Sequence, residues 1–333
     1  MRSRPDPRAK LRTMSEYVVG LDLGGTKILS LCLDRDLNVV GRDYRETEAE
    51  EGPEAVIGRM IASALAAAEG RKIAAVGVSA PGPSNPVTGI VTTPPNLPGW
   101  LNVPLARLIS EKLGVPAWIE NDANAGALAE HRLGAGRGSK HMIMVAAGTG
   151  IGGGFVLDGK LYHGASGGAG EVGHMQMDPT GRLCGCGRRG CLEAVASGWA
   201  LSADAADIAA KEPDGLVARI SVQENEEPDG RILDLAAAQG DASAIEVLTR
   251  AGVFLGAGLT NLIDLFNPEV IVIGGSLRKS DIYYRTALEG ARRDAYPQHA
   301  SDVRIAEAEL GDDAAAMGAG LEAWENLDIA TPG

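Results

Sequence analysis

The sequence predicts an α/β protein built as two related domains. A length of 333 residues suggests about two domains. Short apolar runs with strand character alternate with helical stretches along the whole chain. A strand, glycine turn, strand pattern also occurs twice: VVGLDLGGTKILSLCLD from Val18 and IMVAAGTGIGGGFVLD from Ile143, both closing on Leu-Asp. This weak internal repeat has a period near the size of a domain, so it points to duplication and not to a solenoid.

Each element follows from its local pattern. Tyr17–Asp22 is an apolar run closed by Gly24-Gly25; Ile28–Asp34 and Leu37–Tyr44 follow, and the three read as a strand meander. Pro53–Glu69 has helical periodicity, with Val56, Ile57, Met60, Ile61, Ala64 and Leu65 on one face. Ile73–Ser79 and Ala117–Glu120 read as strands, and Leu105–Leu113 as a helix. Asp122–Leu133 is a helix opened by an Asp/Asn-rich start. Met142–Ala147 and Gly154–Asp158 are the strands of the second half, followed by helices at Trp199–Lys211, Ile232–Ala238 and Ala242–Leu265. Val270–Ile273 is a strand, Ile282–Ala295 a helix, Val303–Ala306 a strand and Asp313–Asn326 a last helix. The expected organisation is a disordered tail at 1–16, an N-terminal α/β domain at 17–121 and a C-terminal α/β domain at 122–312 carrying a metal loop. Met14 is an alternative start.

Composition narrows the function classes. Hydrophobic residues make up 45% of the chain but aromatics only 4%, so the cores are expected to be Val, Ile, Leu and Ala. A formal net charge of -13 repels phosphate backbones and argues against general nucleic-acid binding. It leaves room for a nucleotide held by backbone amides. No apolar run is expected to reach the length of a membrane span, and the first sixteen residues lack the apolar core of a signal peptide. Cys32 lies in an apolar run and reads as a buried thiol. The remaining cysteines are clustered without disulfide partners elsewhere, which fits a reducing, cytoplasmic setting.

Those three cysteines, Cys184, Cys186 and Cys191, fall within eight residues, and His174 precedes them by ten. A Cys3His set suits tetrahedral zinc with all four positions filled. The spacing is shorter than that of a zinc finger, so the segment reads as a small zinc-braced loop; the bland alternative is a group of reduced thiols without metal.

Three glycine turns are candidate phosphate sites. Asp22-Leu23-Gly24-Gly25-Thr26-Lys27 lies between two strands, so it is neither a Rossmann fingerprint nor a P-loop, both of which open a helix. Its backbone N–H groups can still approach phosphate oxygens, Thr26 adds a hydroxyl, and Asp22 suits magnesium held through water. Gly148–Gly154 offers a second nest. Gly274-Gly275 is a third turn, at the carboxyl end of a strand where ligands collect in α/β sheets. Each turn alone reads as a plain hairpin; three at equivalent strand ends predict a nucleotide cleft.

Glu120-Asn121-Asp122 ends a strand and starts a helix, so these side chains are expected to point out of the sheet. Asp122 is the candidate base, kept ionised by the helix dipole. A weakly basic carboxylate suffices for phosphoryl transfer, whose loose transition state needs the hydroxyl oriented more than deprotonated early. The competing reading makes Asp122 merely a helix cap, with Asn124 as the other possible cap. Glu171, His174 and Glu193 bracket the cysteines, and a metal would hold all three for contact with a polyol; Asn96 in PNLPGW is a further amide of this kind. His131, His141, His163 and His299 lack comparable partners and read as surface or structural.

DLGGTK at Asp22, ENDANA at Glu120, GTGIGGG at Gly148, GEVGH at Gly170 and CGCGRRGCLE at Cys184 together resemble the ROK family (repressors, open reading frames and kinases), from about Tyr17 to Asn326. The resemblance implies two ribonuclease-H-like domains of the actin-like ATPase and hexokinase superfamily with an interdomain cleft for ATP, and a final helix, here 313–326, packed back on the first domain. It implies an ATP-dependent hexose kinase acting on the C6 hydroxyl of glucose, with N-acetylmannosamine, N-acetylglucosamine, fructose or allose as alternative sugars and polyphosphate as an alternative donor. Asp122 matches the catalytic base. Asn96, Asn121, Asp122, Glu171, His174 and Glu193 match sugar-binding residues, and Gly82 a sugar-site loop position. His174, Cys184, Cys186 and Cys191 match structural zinc ligands. Asp22, Gly24, Gly25, Thr26, Lys27, Thr149, Gly150, Gly274 and Gly275 fall in segments that bind ATP and Mg2+. The family also implies a homo-oligomer, dimer or tetramer. Its repressors carry a helix-turn-helix module ahead of DLGGTK; about twenty residues precede that motif here, too few for such a module, so a sugar-sensing regulator is the lesser expectation, and neither a nucleic-acid nor a membrane partner is expected.

Overall fold

The computed structural model describes residues 16–330. All of the expected 1–16 tail except Glu16, Met14 included, lies outside the described residues. In chain order the elements are β1 (Tyr17–Leu23), β2 (Lys27–Leu33), β3 (Val39–Glu46), α1 (Pro53–Ala68), β4 (Ile73–Ala80), β5 (Ser84–Asn85), β6 (Ile90–Val91), α2 (Leu105–Leu113), β7 (Ala117–Asn121) and α3 (Asp122–Leu133). There follow β8 (Met142–Ala147), β9 (Ile151–Leu157), β10 (Lys160–Leu161), α4 (Leu192–Ala196), α5 (Gly198–Lys211), α6 (Leu216–Glu224), α7 (Gly230–Ala238) and α8 (Ala242–Phe266). The chain closes with β11 (Val270–Gly274), α9 (Asp281–Asp294), α10 (Pro297–Asp302), β12 (Arg304–Glu307) and α11 (Ala314–Ala330).

Two compact units are present. Among the described residues, unit 1 takes 16–129, 164–168 and 312–330; unit 2 takes Glu130–His163 and Ala169–Gly311. The division falls inside α3. Unit 1 holds a five-stranded mixed sheet in the order β3-β2-β1-β4-β7. β1, β2 and β3 form an antiparallel meander, and β4 and β7 add in parallel. Unit 2 repeats this plan as β10-β9-β8-β11-β12, again with an antiparallel meander and two parallel strands.

In unit 1, one face of the sheet is covered by α1 and α2. Val56, Ile57, Met60 and Ala64 of α1 and Leu105 and Ile109 of α2 pack on Val19, Leu21, Val76 and Val78. The other face is covered by α11, whose Ala316, Ala323 and Trp324 meet Val18, Leu31 and Ala75. The helix comes so close that a Cβ on Gly20 would stand 1.9 Å from the Ala316 carbonyl oxygen, and one on Gly77 1.8 Å from that of Ala319. Both strands therefore need a residue without a side chain there. Unit 2 has its own core, in which α8 runs through Leu248, Leu255, Leu259 and Ile263 against Ile143, Val145, Ile271 and Ile273.

Three details depart from the sequence reading. β9 starts at Ile151, not at Gly154, because the glycine run is an ordinary part of the β8 ladder and its bareness admits the chain at 170–173: a Cβ on Gly153 would meet the Gly170 carbonyl and Val172 at 2.8 Å. The short elements α4, α6 and α10 are additional; in α6 only Val217, Ile220 and Ser221 are buried, too brief a stripe to announce a helix. Finally, α8 is by length and composition apolar enough to cross a bilayer, contrary to the expectation that no run would reach that length. Half of its most apolar window is buried inside unit 2, where a core helix must be apolar on most sides.

Candidate functional site

In unit 1 the candidate residues gather around two strand ends. Asp22 stands opposite Ser79 in the β1–β4 register, and Ser79 Oγ donates to Asp22 Oδ1 at 2.8 Å. Burial pushes the Asp22 carboxyl above its ordinary range, opposed by the Ser79 bond and the charge of Lys27. The turn that follows is closed by Gly24 N–H donating to the Lys27 carbonyl at 2.8 Å. Thr47 pins it from β3's end, with Oγ1 donating to the Gly24 carbonyl at 2.7 Å and its N–H to that of Thr26 at 2.9 Å. Thr26 is exposed, and Lys27 Nζ lies 3.9 Å from Asp312. The exposed Asn96 abuts this turn: a Cβ on Gly25 would lie 2.7 Å from the Asn96 Cβ.

At the end of β7, Asn121 Oδ1 accepts from Ala123 N–H at 3.0 Å and Asn124 N–H at 3.3 Å, so Asn121 is the cap of α3. Neither Asp122 nor Asn124 holds that role. Asp122 is exposed on the first residue of α3, its Oδ1 also accepting from Ala123 N–H at 2.8 Å. Gly82 faces Asn121, whose Nδ2 would lie 3.4 Å from a Cβ there. Glu120 breaks the expectation that this trio points out of the sheet. It is fully buried, and its Oε1 accepts from Asn121 N–H at 2.7 Å and Asn124 Nδ2 at 3.0 Å.

In unit 2, two glycine turns are neighbours. Gly274 pairs with Ala146 across β11 and β8, and Gly275 sits at φ 88° with room for no Cβ, which would stand 2.0 Å from the Ala147 carbonyl oxygen. The Gly148-Thr149-Gly150 turn is held by the start of α5, where Gly198 N–H donates to Gly148 O at 2.8 Å and Trp199 N–H to Thr149 O at 3.1 Å. Thr149 is exposed. Glu193 is tied to the strand beside the turn: Ile151 N–H donates to its Oε2 at 3.1 Å, beside Gly150, while its Oε1 lies 4.0 Å from Cys184 Sγ. This carboxylate links the glycine turn to the cysteine loop.

His174, Cys184, Cys186 and Cys191 bring one ligand atom each to within 4.8 Å of one another. His174 Nδ1 is 3.7 Å from Cys184 Sγ, and the Cys186 and Cys191 sulfurs are 3.6 Å apart. A tetrahedron with Zn–S of about 2.3 Å has edges of roughly 3.8 Å, so the set fits a four-coordinate metal. A hydrogen bond from the Arg188 backbone, with further bonds from neighbouring side chains, lowers the Cys186 thiol to about 6. Burial raises Cys184 and takes Cys191 up to about 12. A dication near these sulfurs would favour the thiolate at all three. The loop is anchored independently of metal: Arg188 donates to the His174 carbonyl at 2.8 Å, and Arg182 reaches the Ala200 carbonyl at 3.0 Å and Asp204 at 2.6 Å on α5. Glu171 is exposed, with Oε2 4.0 Å from His174 Nε2, so the two ring nitrogens of His174 face different partners. Outside the cluster His131 Nε2 lies 2.7 Å from the Ser139 carbonyl oxygen, His141 Nε2 3.6 Å from Asp158 and His299 Nδ1 3.4 Å from Asp264.

The sequence reading missed Ser79, Thr47, Arg182 and Arg188, which orient the candidate residues. Strand register and loop closure create those pairings, and neither has a local signature.

The profile of the ROK family matches residues 18–324. The glucokinase of Thermotoga maritima is 36% identical over 303 residues, 91% of this chain and 95% of its own length. The solved ROK glucokinase of Streptomyces griseus, in complex with glucose and AMPPNP, superposes with a TM-score of 0.79 at 32% identity, over 93% of this chain and 99% of that one. The xylose repressor of Bacillus subtilis is 32% identical over 313 residues, 91% of this chain and 75% of its own length. With two α/β units of one topology, the five motifs in place and a match spanning nearly the whole chain, this protein belongs to the ROK family.

Proposed function

We propose that this chain is an ATP-dependent hexose kinase that phosphorylates the C6 hydroxyl of glucose, with Asp122 as the base. The observation that carries the reading is the exposed Asp122 carboxylate at the first residue of α3, beside a cap supplied by Asn121 and not by Asp122 itself. With Asn121 accepting from both Ala123 and Asn124 N–H, capping alone does not account for the Asp122 carboxylate, which supports a chemical role for it. The relatives named glucokinase support glucose as substrate. The shared strand order of the two sheets supports a ribonuclease-H-like topology for both units, the type found in actin-like ATPases and hexokinases.

In this reading Asp122 orients the C6 hydroxyl and accepts its proton as the bond to the γ-phosphorus forms and that to the ADP oxygen breaks. Backbone N–H groups of the turns at Gly24–Lys27, Gly148–Gly150 and Gly274-Gly275 stabilise charge on the phosphates. Asp22 would hold Mg2+ through water, and that ion when bound neutralises phosphate charge. Gly82, Asn96, Asn121, Asp122, Glu171, His174 and Glu193 are the proposed contacts to the sugar. His174, Cys184, Cys186 and Cys191 would hold a structural zinc ion, which when bound supplies a rigid crosslink.

The test is ADP release with ATP and a panel of glucose, fructose, allose, N-acetylglucosamine and N-acetylmannosamine. Glucose is expected to give the highest kcat/KM, and Asp122→Ala to lower kcat by at least about a thousandfold while glucose still binds. Turnover retained in that variant overturns the base assignment. The likeness to a xylose repressor keeps a second reading, a sugar-sensing regulator; sugar-dependent DNA binding without ADP formation would establish it.

A further inference from the structure

Behind the Asp122 turn lies a buried carboxyl cluster that the proposed reaction does not use. Glu120, fully buried at the next-to-last position of β7, accepts from Asn121 N–H at 2.7 Å and from Asn124 Nδ2 at 3.0 Å. These two bonds tie the strand end, the cap residue and the first turn of α3 into one unit. Asn124 is 1% exposed, and its Oδ1 has no hydrogen-bond donor among the described residues. The direction of Asp122 thus depends on where the Glu120 carboxylate is held.

α11 packs directly on this turn. At Gly318 the helix comes so near α3 that a Cβ would stand 1.8 Å from the Ala125 carbonyl oxygen. One helical turn later α11 carries Glu322, whose Oε2 is buried without a hydrogen-bond partner among the described residues. Burial, and then the negative charges of Glu120 and Glu325, hold the Glu322 carboxyl well above the usual carboxylate range. Two neighbouring carboxyls in such surroundings do not both ionise; one keeps its proton. Glu120 already accepts from two N–H donors. Glu322 is the acid.

We propose that Glu322 is a positioning residue for Asp122: its carboxyl O–H donates to the Glu120 carboxylate and so locks the Glu120–Asn121–Asn124 turn from which the base projects. The neutral acid gives this site a hydrogen-bond donor without adding a second buried charge, which lysine or arginine would bring. Gln retains a donor of nearly the same shape; Met fills the space and retains none.

The inference rests on the kinase reading for the role of Asp122, and the experiment separates the two. Glu322→Gln and Glu322→Met are compared with the wild type in three measurements: steady-state kinetics with glucose and ATP, thermal melting, and hydrogen exchange of the Asn121, Ala123 and Asn124 amides. Glu322→Gln is expected to keep kcat within about twofold and exchange unchanged, since its donor is intact. Glu322→Met is expected to lower kcat by about ten- to a hundredfold with glucose KM nearly constant, the pattern of a misaimed base. Its melting temperature should hold or rise, because it removes a buried acid, while the three amides exchange up to about tenfold faster. Wild-type kcat and exchange in Glu322→Met overturn the proposal. So does a Gln variant as impaired as the Met one, which would make Glu322 a packing or charge element. If the wild-type chain phosphorylates no hexose, the kinase reading fails, and exchange decides alone: faster in Met and not in Gln supports the lock, unchanged in both refutes it.

Discussion

At the next-to-last position of β1, Asp22 carries a carboxyl that burial pushes upward while Ser79 and Lys27 pull it back. The sign of its effect on stability follows. A folded-state pKa above the unfolded value means the folded chain binds the proton more tightly. The penalty for burying the charge is therefore absent below the unfolded pKa, grows as pH rises toward the folded pKa, and is complete above it. Asp22→Asn is expected to raise the melting temperature at pH 7 and to lose most of that gain at pH 4, since Asn still accepts the Ser79 bond. In the proposed reaction the same change should lower kcat by about a hundredfold or more, because a magnesium-side charge is lost. Melting curves at the two pH values and one rate measurement check both halves; a variant less stable at pH 7 than the wild type contradicts the argument. At this scale the sequence was informative about identity and poor about partners. DLGGTK and ENDANA named Asp22 and Asp122 through residue types at fixed spacing. That Asn121 and not Asp122 caps α3, that Ser79 faces Asp22, and that Glu322 stands behind Glu120 depend on which of several competent neighbours wins and on strands and helices tens to hundreds of residues apart.

Among the elements, the cysteine loop is the one whose order a bound ion would govern. Its sulfurs and imidazole already lie at tetrahedral spacing, yet Cys186 is exposed and the ligand thiols differ widely in acidity, from about 6 to about 12. Only a cation makes all three thiolates favourable together. Purified protein is therefore expected to contain one zinc per chain by elemental analysis, and Cys184→Ser to lose it. Chelation should speed proteolysis within 174–193 and raise the glucose KM several-fold more than it lowers kcat. The reason is Glu193, which shares its two oxygens between Ile151 N–H and the neighbourhood of Cys184. Protein with no stoichiometric metal and an equally protected loop removes the zinc assignment. Elements with clear periodicity, such as α1 and α2, were legible in the chain because their buried residues recur every three to four positions. The opening of β9 was not, since Gly152-Gly153-Gly154 carries no strand propensity and is held there by its ladder and by the close approach of residues 170–173.

Over the molecule as a whole, duplication is written more clearly in topology than in sequence. The two halves share little beyond a strand, a glycine turn and a strand, yet both sheets have one order and one set of directions. Each unit closes its own core, so unfolding need not be a single all-or-none event. Ligand linkage supplies a test that does not require turnover. A ligand bound only by the folded chain adds RT ln(1 + [L]/Kd), about 2.7 kcal/mol at a hundred times Kd. If the chain melts as one body, average unfolding entropies convert this to roughly 4 °C. If it melts in two steps, the shift falls on the step that releases the sugar. The kinase reading expects glucose to give this shift, xylose to give little, and both ATP and glucose to be consumed when present together with magnesium. A regulator of the xylose-repressor kind expects the reverse order of sugars and no ADP. Calorimetric scans with each sugar, set beside the ADP assay, distinguish them: a shift with xylose alone and no ADP removes the kinase proposal, whereas a glucose shift retained in Asp122→Ala, with transfer abolished, ties sugar binding and phosphoryl transfer to different residues of one chain.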